Sequence, residues 1–215
     1  MDEPELFIAA ASITVGLVAV GFSLIRRRFD QLLSFFAWFA VLYGARLWMQ
    51  SHILRLMQNP SPFLDKIQMA LNFFVAVPAF QFFAATGSVG RTGRVIAYVV
   101  CIFEICLIAA VFLGLPLGPL NDLNSVSVIV GSVSLTLMTF RQRMVKKDDA
   151  VFRVGLVTFV SFVLWTNTAE LLGHHPNIEL YGFAVFLCCL GYVAAKRALD
   201  RDQQLNSIQQ ELEVA

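Results

Sequence analysis

The chain has 215 residues, 58% of them apolar and only 14% charged, with a mean hydropathy of +0.70. Soluble domains run near a quarter charged, so this chain uses lipid as its solvent. Sixteen basic against fifteen acidic residues leave a net charge of +1, which gives no electrostatic argument for a nucleic-acid partner.

The N-terminus, MDEPE, is acidic where a secretory leader would be basic, so Leu6 to Ile25 is expected to stay as the first span. A helix needs about 20 mostly apolar residues to cross the bilayer. The second candidate follows Asp30, a plausible N-cap, and runs to about Leu54. Asn59 to Pro62 form a turn in which Ser61 caps and Pro62 suits a first helical position. The third span covers Ile67 to Thr86 with Pro78 inside it, and the fourth runs from Val95 to Leu115. LGLPLGPLND is a turn by composition, after which come Leu123 to Phe140, Val154 to Leu172 and Ile178 to Ala195. The fold class expected is therefore all-α: a seven-helix transmembrane bundle over residues 1–195, followed by a polar segment, 196–215.

Orientation follows from the positive-inside rule. With the N-terminus outside, thirteen of sixteen basic residues fall on the inner side, and only Arg46, Arg55 and Lys66 do not. That predicts a multi-pass protein of the inner (cytoplasmic) membrane with segment 196–215 in the cytoplasm.

Charges within spans are costly and mark sites by default. Counted from the inner ends at 1.5 Å per residue, Arg46 lies about 23 Å up the second helix and Glu170 about 25 Å up the sixth. Glu104 lies about 15 Å up the fourth, near mid-bilayer, with Arg46, Asn72 or Gln81 as expected partners. These three either tie helices together, line a ligand pocket or form a proton path. Tyr43, Trp48, Trp165 and Tyr181 lie toward the outer half. They fit an interfacial belt, and equally a pocket for a small apolar or amphipathic molecule oriented by Arg46 or Glu170. Ser127 with Gly131, and Gly191 with Ala195, are spaced for close helix packing.

Several chemistries are not indicated. The four cysteines, Cys101, Cys106, Cys188 and Cys189, sit in apolar runs without metal spacing. His52, His174 and His175 cluster toward the outer face, without the facing pairs that haem requires. The seventh span has no lysine for a retinal Schiff base. GRTGR at Gly90 to Arg94 lacks the strand of a phosphate loop and reads as a tight basic inner turn. With no nucleophile or paired-carboxylate cluster, no catalytic residue, metal or cofactor is assigned, and this chain is not expected to be an enzyme.

Beyond the seventh span, Ala198, Leu205 and Leu212 recur at one heptad position and Ile208 and Ala215 at the other. That pattern fits a parallel coiled coil and hence a homodimer. A single amphipathic helix on the membrane surface is the other reading, although Asp200, Asp202, Glu211 and Glu213 oppose contact with anionic lipid. The tail LDRDQQLNSIQQELEVA is similar to linkers that, in bacterial membrane-bound regulators, precede protein phosphatase 2C-like serine/threonine phosphatase or nucleotide cyclase domains. The spans, with LYGARLWMQ at Leu42 to Gln50, resemble the membrane region of bacterial seven-transmembrane receptors with diverse intracellular signalling modules. That resemblance implies a sensor whose seventh helix drives a cytoplasmic output domain lying beyond this chain. Unlike many such receptors, this chain has only five residues before the first span, so the stimulus is expected to reach the bundle itself, its short outer loops or a separate partner. A small transporter or channel using Arg46, Glu104 and Glu170 is the alternative from another class.

Overall fold

The computed structural model describes residues 3–25, 31–51, 61–85, 89–141, 148–173, 181–189, 191–192 and 196. Within them the chain is all-helical: α1 (Glu3–Ile25), α2 (Gln31–Gln50), α3 (Pro62–Ala85), α4 (Gly90–Phe112), α5 (Leu117–Arg141), α6 (Asp148–Leu171) and α7 (181–189). Five of these helices are long and apolar enough to cross a membrane: α2, α3, α4, α5 and the Arg153–Leu171 part of α6. α1 contributes a shorter apolar stretch, Leu6–Gly21. Many large apolar side chains point outward, among them Val95, Val99, Ile102 and Ile105 on α4. A soluble monomer does not leave such a stripe in water, and the chain is read as a multi-pass helical membrane protein.

Local chemistry sets the helix ends. Pro62 opens α3, where its missing N–H has no intrahelical acceptor to lose, and the Ser61 carbonyl accepts from the N–H groups of Leu64 (2.9 Å) and Asp65 (3.2 Å). α4 stops at Gly114, whose φ of 86° only glycine adopts without strain. The N–H groups of Gly114 and Leu115 return to the carbonyls of Val111 and Ala110, both at 3.2 Å, which is a Schellman stop. The predicted turn LGLPLGPLND is shorter than composition suggested, because α5 already starts at Leu117. Pro119 falls in the first turn of that helix, where a proline removes no hydrogen bond.

Each helix packs antiparallel on its successor, and register is set by close contacts. Between α1 and α2, a Cβ on Gly16 would lie 2.9 Å from the Ala37 carbonyl oxygen, and one on Gly44 would lie 2.6 Å from that of Ala9. The two backbones touch at both points, as small residues permit in lipid. Gly131 on α5 sits under the Phe80 ring of α3, with its would-be Cβ 2.7 Å from Cε1. Among the described residues nothing lies within 4 Å of a Cβ built on Gly191, and Ala195 lies outside them.

α7 closes the bundle against α2, α3 and α6. Phe183 and Phe186 are 0% and 1% exposed. Phe183 stacks on Tyr43 with centroids 3.8 Å apart, and Phe186 stacks on Phe159 at 4.7 Å. Gly182 and Gly155 admit this approach, since their would-be Cβ atoms fall 2.5 Å from Phe162 Cβ and 2.6 Å from Cys189 Cβ.

Candidate functional site

The bundle has two unlike ends. At one, α3 ends and α4 begins and α5 ends and α6 begins, with Arg91, Arg94 and Arg141 exposed and the Arg153 guanidinium 5.7 Å from the Phe140 ring centroid; this is the basic end. Near the opposite end, a cavity of about 80 Å³ lies among α2, α3, α5 and α6. A water molecule needs at least 10–15 Å³ of such space, so the cavity has room for several waters or a small ligand.

Each wall is a helical stripe. α2 contributes Phe39, Tyr43 and Arg46, spaced four and three residues apart, so they share one face. α5 contributes Asn124, Val128 and Ser132. α6 contributes Phe159, Val163, Thr166, Asn167 and Glu170. α3 supplies Asn72, Val75, Ala76, Ala79, Phe80 and Phe83. Polar groups gather toward one extremity and aromatic rings toward the other.

Hydrogen bonds define the polar extremity further. Ser125 donates to Glu170 Oε2 (3.4 Å), and Asn72 Nδ2 donates to Asn121 Oδ1 (3.5 Å). Asn167 Nδ2 donates to the Val163 carbonyl oxygen at 2.8 Å. The Arg46 guanidinium stands 5.8 Å from the Tyr43 ring centroid, within cation–π range. Two buried polar atoms, Asn124 Oδ1 and Thr166 Oγ1, have no hydrogen-bond partner among the described residues. Their side chains are 6% and 5% exposed. A buried polar group left unpaired costs about 1–3 kcal/mol, a cost that water or another molecule hydrogen-bonded to these atoms would offset.

Of the residues singled out from sequence, Tyr43, Arg46 and Glu170 line the cavity together. Trp48, Trp165 and Tyr181 do not: they are 54%, 63% and 56% exposed and face away from the bundle. Glu104 is fully buried but sits elsewhere, on α4, where its Oε1 accepts from Ser127 of α5. Its partner is thus Ser127 and not Arg46, Asn72 or Gln81. Gln81 instead donates to Cys101 Sγ (3.3 Å), and that thiol donates to the Val77 carbonyl (3.5 Å). α5 reaches Glu170 through Ser125 and Glu104 through Ser127, and Glu104 is not among the residues that line the cavity.

Asn124, Thr166, Asn167 and Phe159 were not singled out from sequence. The signal for them is the stripe itself: Phe159, Val163, Thr166 and Glu170 fall four, three and four apart, whereas Trp165 lies about 100° around the helix from Thr166. His52, His174, His175 and the heptad residues Ala198, Leu205, Ile208 and Leu212 lie outside the described residues. Comparison with family models, curated proteins and solved structures finds no match.

Proposed function

We propose that the chain is a membrane sensor module in which occupancy of the α2–α3–α5–α6 cavity is passed to α7 and so to segment 196–215. The observation that supports this is a pair of ring stacks. Tyr43 and Phe159 both line the cavity and both stack on α7, on Phe183 and Phe186 respectively. A ligand that shifts either ring thereby favours one seating of α7 over another, which is a population shift between two packings of the same helices. A differential affinity of ~1.4 kcal/mol moves such an equilibrium tenfold.

In this reading the cavity end is outside, the basic end is cytoplasmic, and the protein resides in the inner membrane. Segment 196–215 pairs with that of a second copy through Ala198, Leu205, Ile208 and Leu212 and engages a cytoplasmic signalling domain, a phosphatase or cyclase by the resemblance noted above.

The test fills the cavity instead of waiting for a ligand. Spin labels at Phe140→Cys and Tyr192→Cys, two exposed sites, in a background with the native cysteines replaced, report the seat of the α7 end. Ala76→Leu, which projects into the cavity, is expected to shift that distance distribution. An unchanged distribution in a folded variant rejects coupling between cavity and α7. Orientation is checked separately: an impermeant maleimide added to whole spheroplasts should label Tyr181→Cys and spare Arg91→Cys. Leu205→Asp with Leu212→Asp should convert a solubilised dimer to monomer, and an unchanged mass removes the coiled coil.

A further inference from the structure

The cavity is graded along its length. Glu170 at the polar extremity and Phe159 at the aromatic one are separated by about 16 Å of helix rise on α6. Such a space suits a molecule with a polar head and an apolar body, held lengthwise. Two features narrow the head.

The first is charge. The polar extremity holds one cationic side chain, Arg46, and one anionic side chain, Glu170, so a head with a net charge of either sign meets one attraction and one repulsion. The second is hydrogen bonding. Asn124 Oδ1 only accepts and Thr166 Oγ1 donates or accepts, and both are buried without a partner among the described residues. An occupant that donates to Asn124 offsets the cost of burying that oxygen.

We infer that the cavity binds a small uncharged amphiphile whose amide or hydroxyl head donates to Asn124 and pairs with Thr166, and whose single short apolar chain lies against Phe80, Phe83 and Phe159. The inference rests on the sensor reading only in making this molecule the stimulus; the binding chemistry stands without it. The molecule arrives either from water at the cavity end or laterally from the bilayer, and the head and chain are the same in both cases.

The experiment uses the full chain in lipid nanodiscs and three probes with one tail: hexanamide, hexanoate and hexylammonium. Hexanamide is expected to raise the thermal unfolding temperature in a saturable manner, with the two charged probes needing at least about tenfold more for the same shift. Thr166→Val and Asn124→Leu should each raise the half-maximal hexanamide concentration about tenfold, whereas Thr166→Ser, which keeps the hydroxyl, should retain it. Equal shifts from all three heads, or a hexanamide response that survives both Thr166→Val and Asn124→Leu, overturns the assignment. Should either variant fail to fold, the ranking of the three probes on the unaltered chain decides. Repeating the titration at two lipid-to-protein ratios separates the routes: a midpoint that follows the membrane concentration means bilayer entry, and one that follows the aqueous concentration means entry from water. The assignment stands in both cases. Failure of hexanamide to bind leaves the α7 distance shift of Ala76→Leu untouched, so the two readings fail separately.

Discussion

The two ends of the cavity show what this bundle optimises and what it leaves open. Toward the basic end, Phe36, Phe82, Phe83 and Phe186 meet ring against ring, Leu135 and Leu156 are 1% exposed, and Gly155 admits Cys189 with no space to spare. Toward the other end α2, α3, α5 and α6 leave a cavity and bury two polar atoms that have no hydrogen-bond partner among the described residues. In lipid, helices associate through packing and interhelical hydrogen bonds more than through the hydrophobic effect. The aromatic region therefore carries the cohesion of the bundle, and the polar region gives up some of it to hold a space.

That contrast predicts opposite responses to changes in side-chain volume. The largest effect belongs to Phe186→Ala, which deletes a ring stacked on Phe159 and should cost about 3–5 kcal/mol, read as a fall in the midpoint of denaturant unfolding in detergent. Adding volume in the same region comes next: Gly155→Val drives a side chain into Cys189 and should cost about 1–3 kcal/mol. Ser127→Ala removes the donor to Glu104 and should cost about 1–2 kcal/mol; restoration by Ser127→Thr would separate a lost hydroxyl from lost packing. The smallest change in stability is expected at the cavity, where Ala76→Leu fills space and should leave stability within about 1 kcal/mol of the unaltered chain or raise it. If Ala76→Leu costs as much as Gly155→Val, the two regions are packed alike and the contrast is lost.

Much of the architecture was legible in the sequence because helix existence in a bilayer depends on apolar length, a one-dimensional property. The opening of α3 at Pro62 was likewise readable, since proline chemistry acts locally. The start of α5 was less so. Gly118 and Pro119 read as a turn by composition, and what decides is that Pro119 sits early enough for its missing donor not to matter. For the site, Arg46 and Glu170 stand out because charge within a span is rare, and Tyr43 stands with Trp48, Trp165 and Tyr181 as an aromatic residue of the outer half; that it shares a face with Arg46, three residues on, is what sets it apart from them. Trp48 and Trp165 illustrate the limit: depth along a helix is legible from counting, but which way a side chain faces depends on partners that the count does not include. Ser127 as the partner of Glu104 was hidden for the same reason, being fixed by how α4 and α5 meet.

The double backbone contact at Gly16 and Gly44 has a consequence for how the protein is made. α1 packs chiefly on α2, and that seam is complete within the first 50 residues of the chain. A ribosome therefore finishes this helix pair before α3, α5 and α6, the other walls of the cavity, have been translated. The pair can leave the insertion machinery as one unit, giving the later helices a fixed wall to assemble on, and Gly44→Leu would be felt first as a biogenesis defect, with less chain recovered from the membrane.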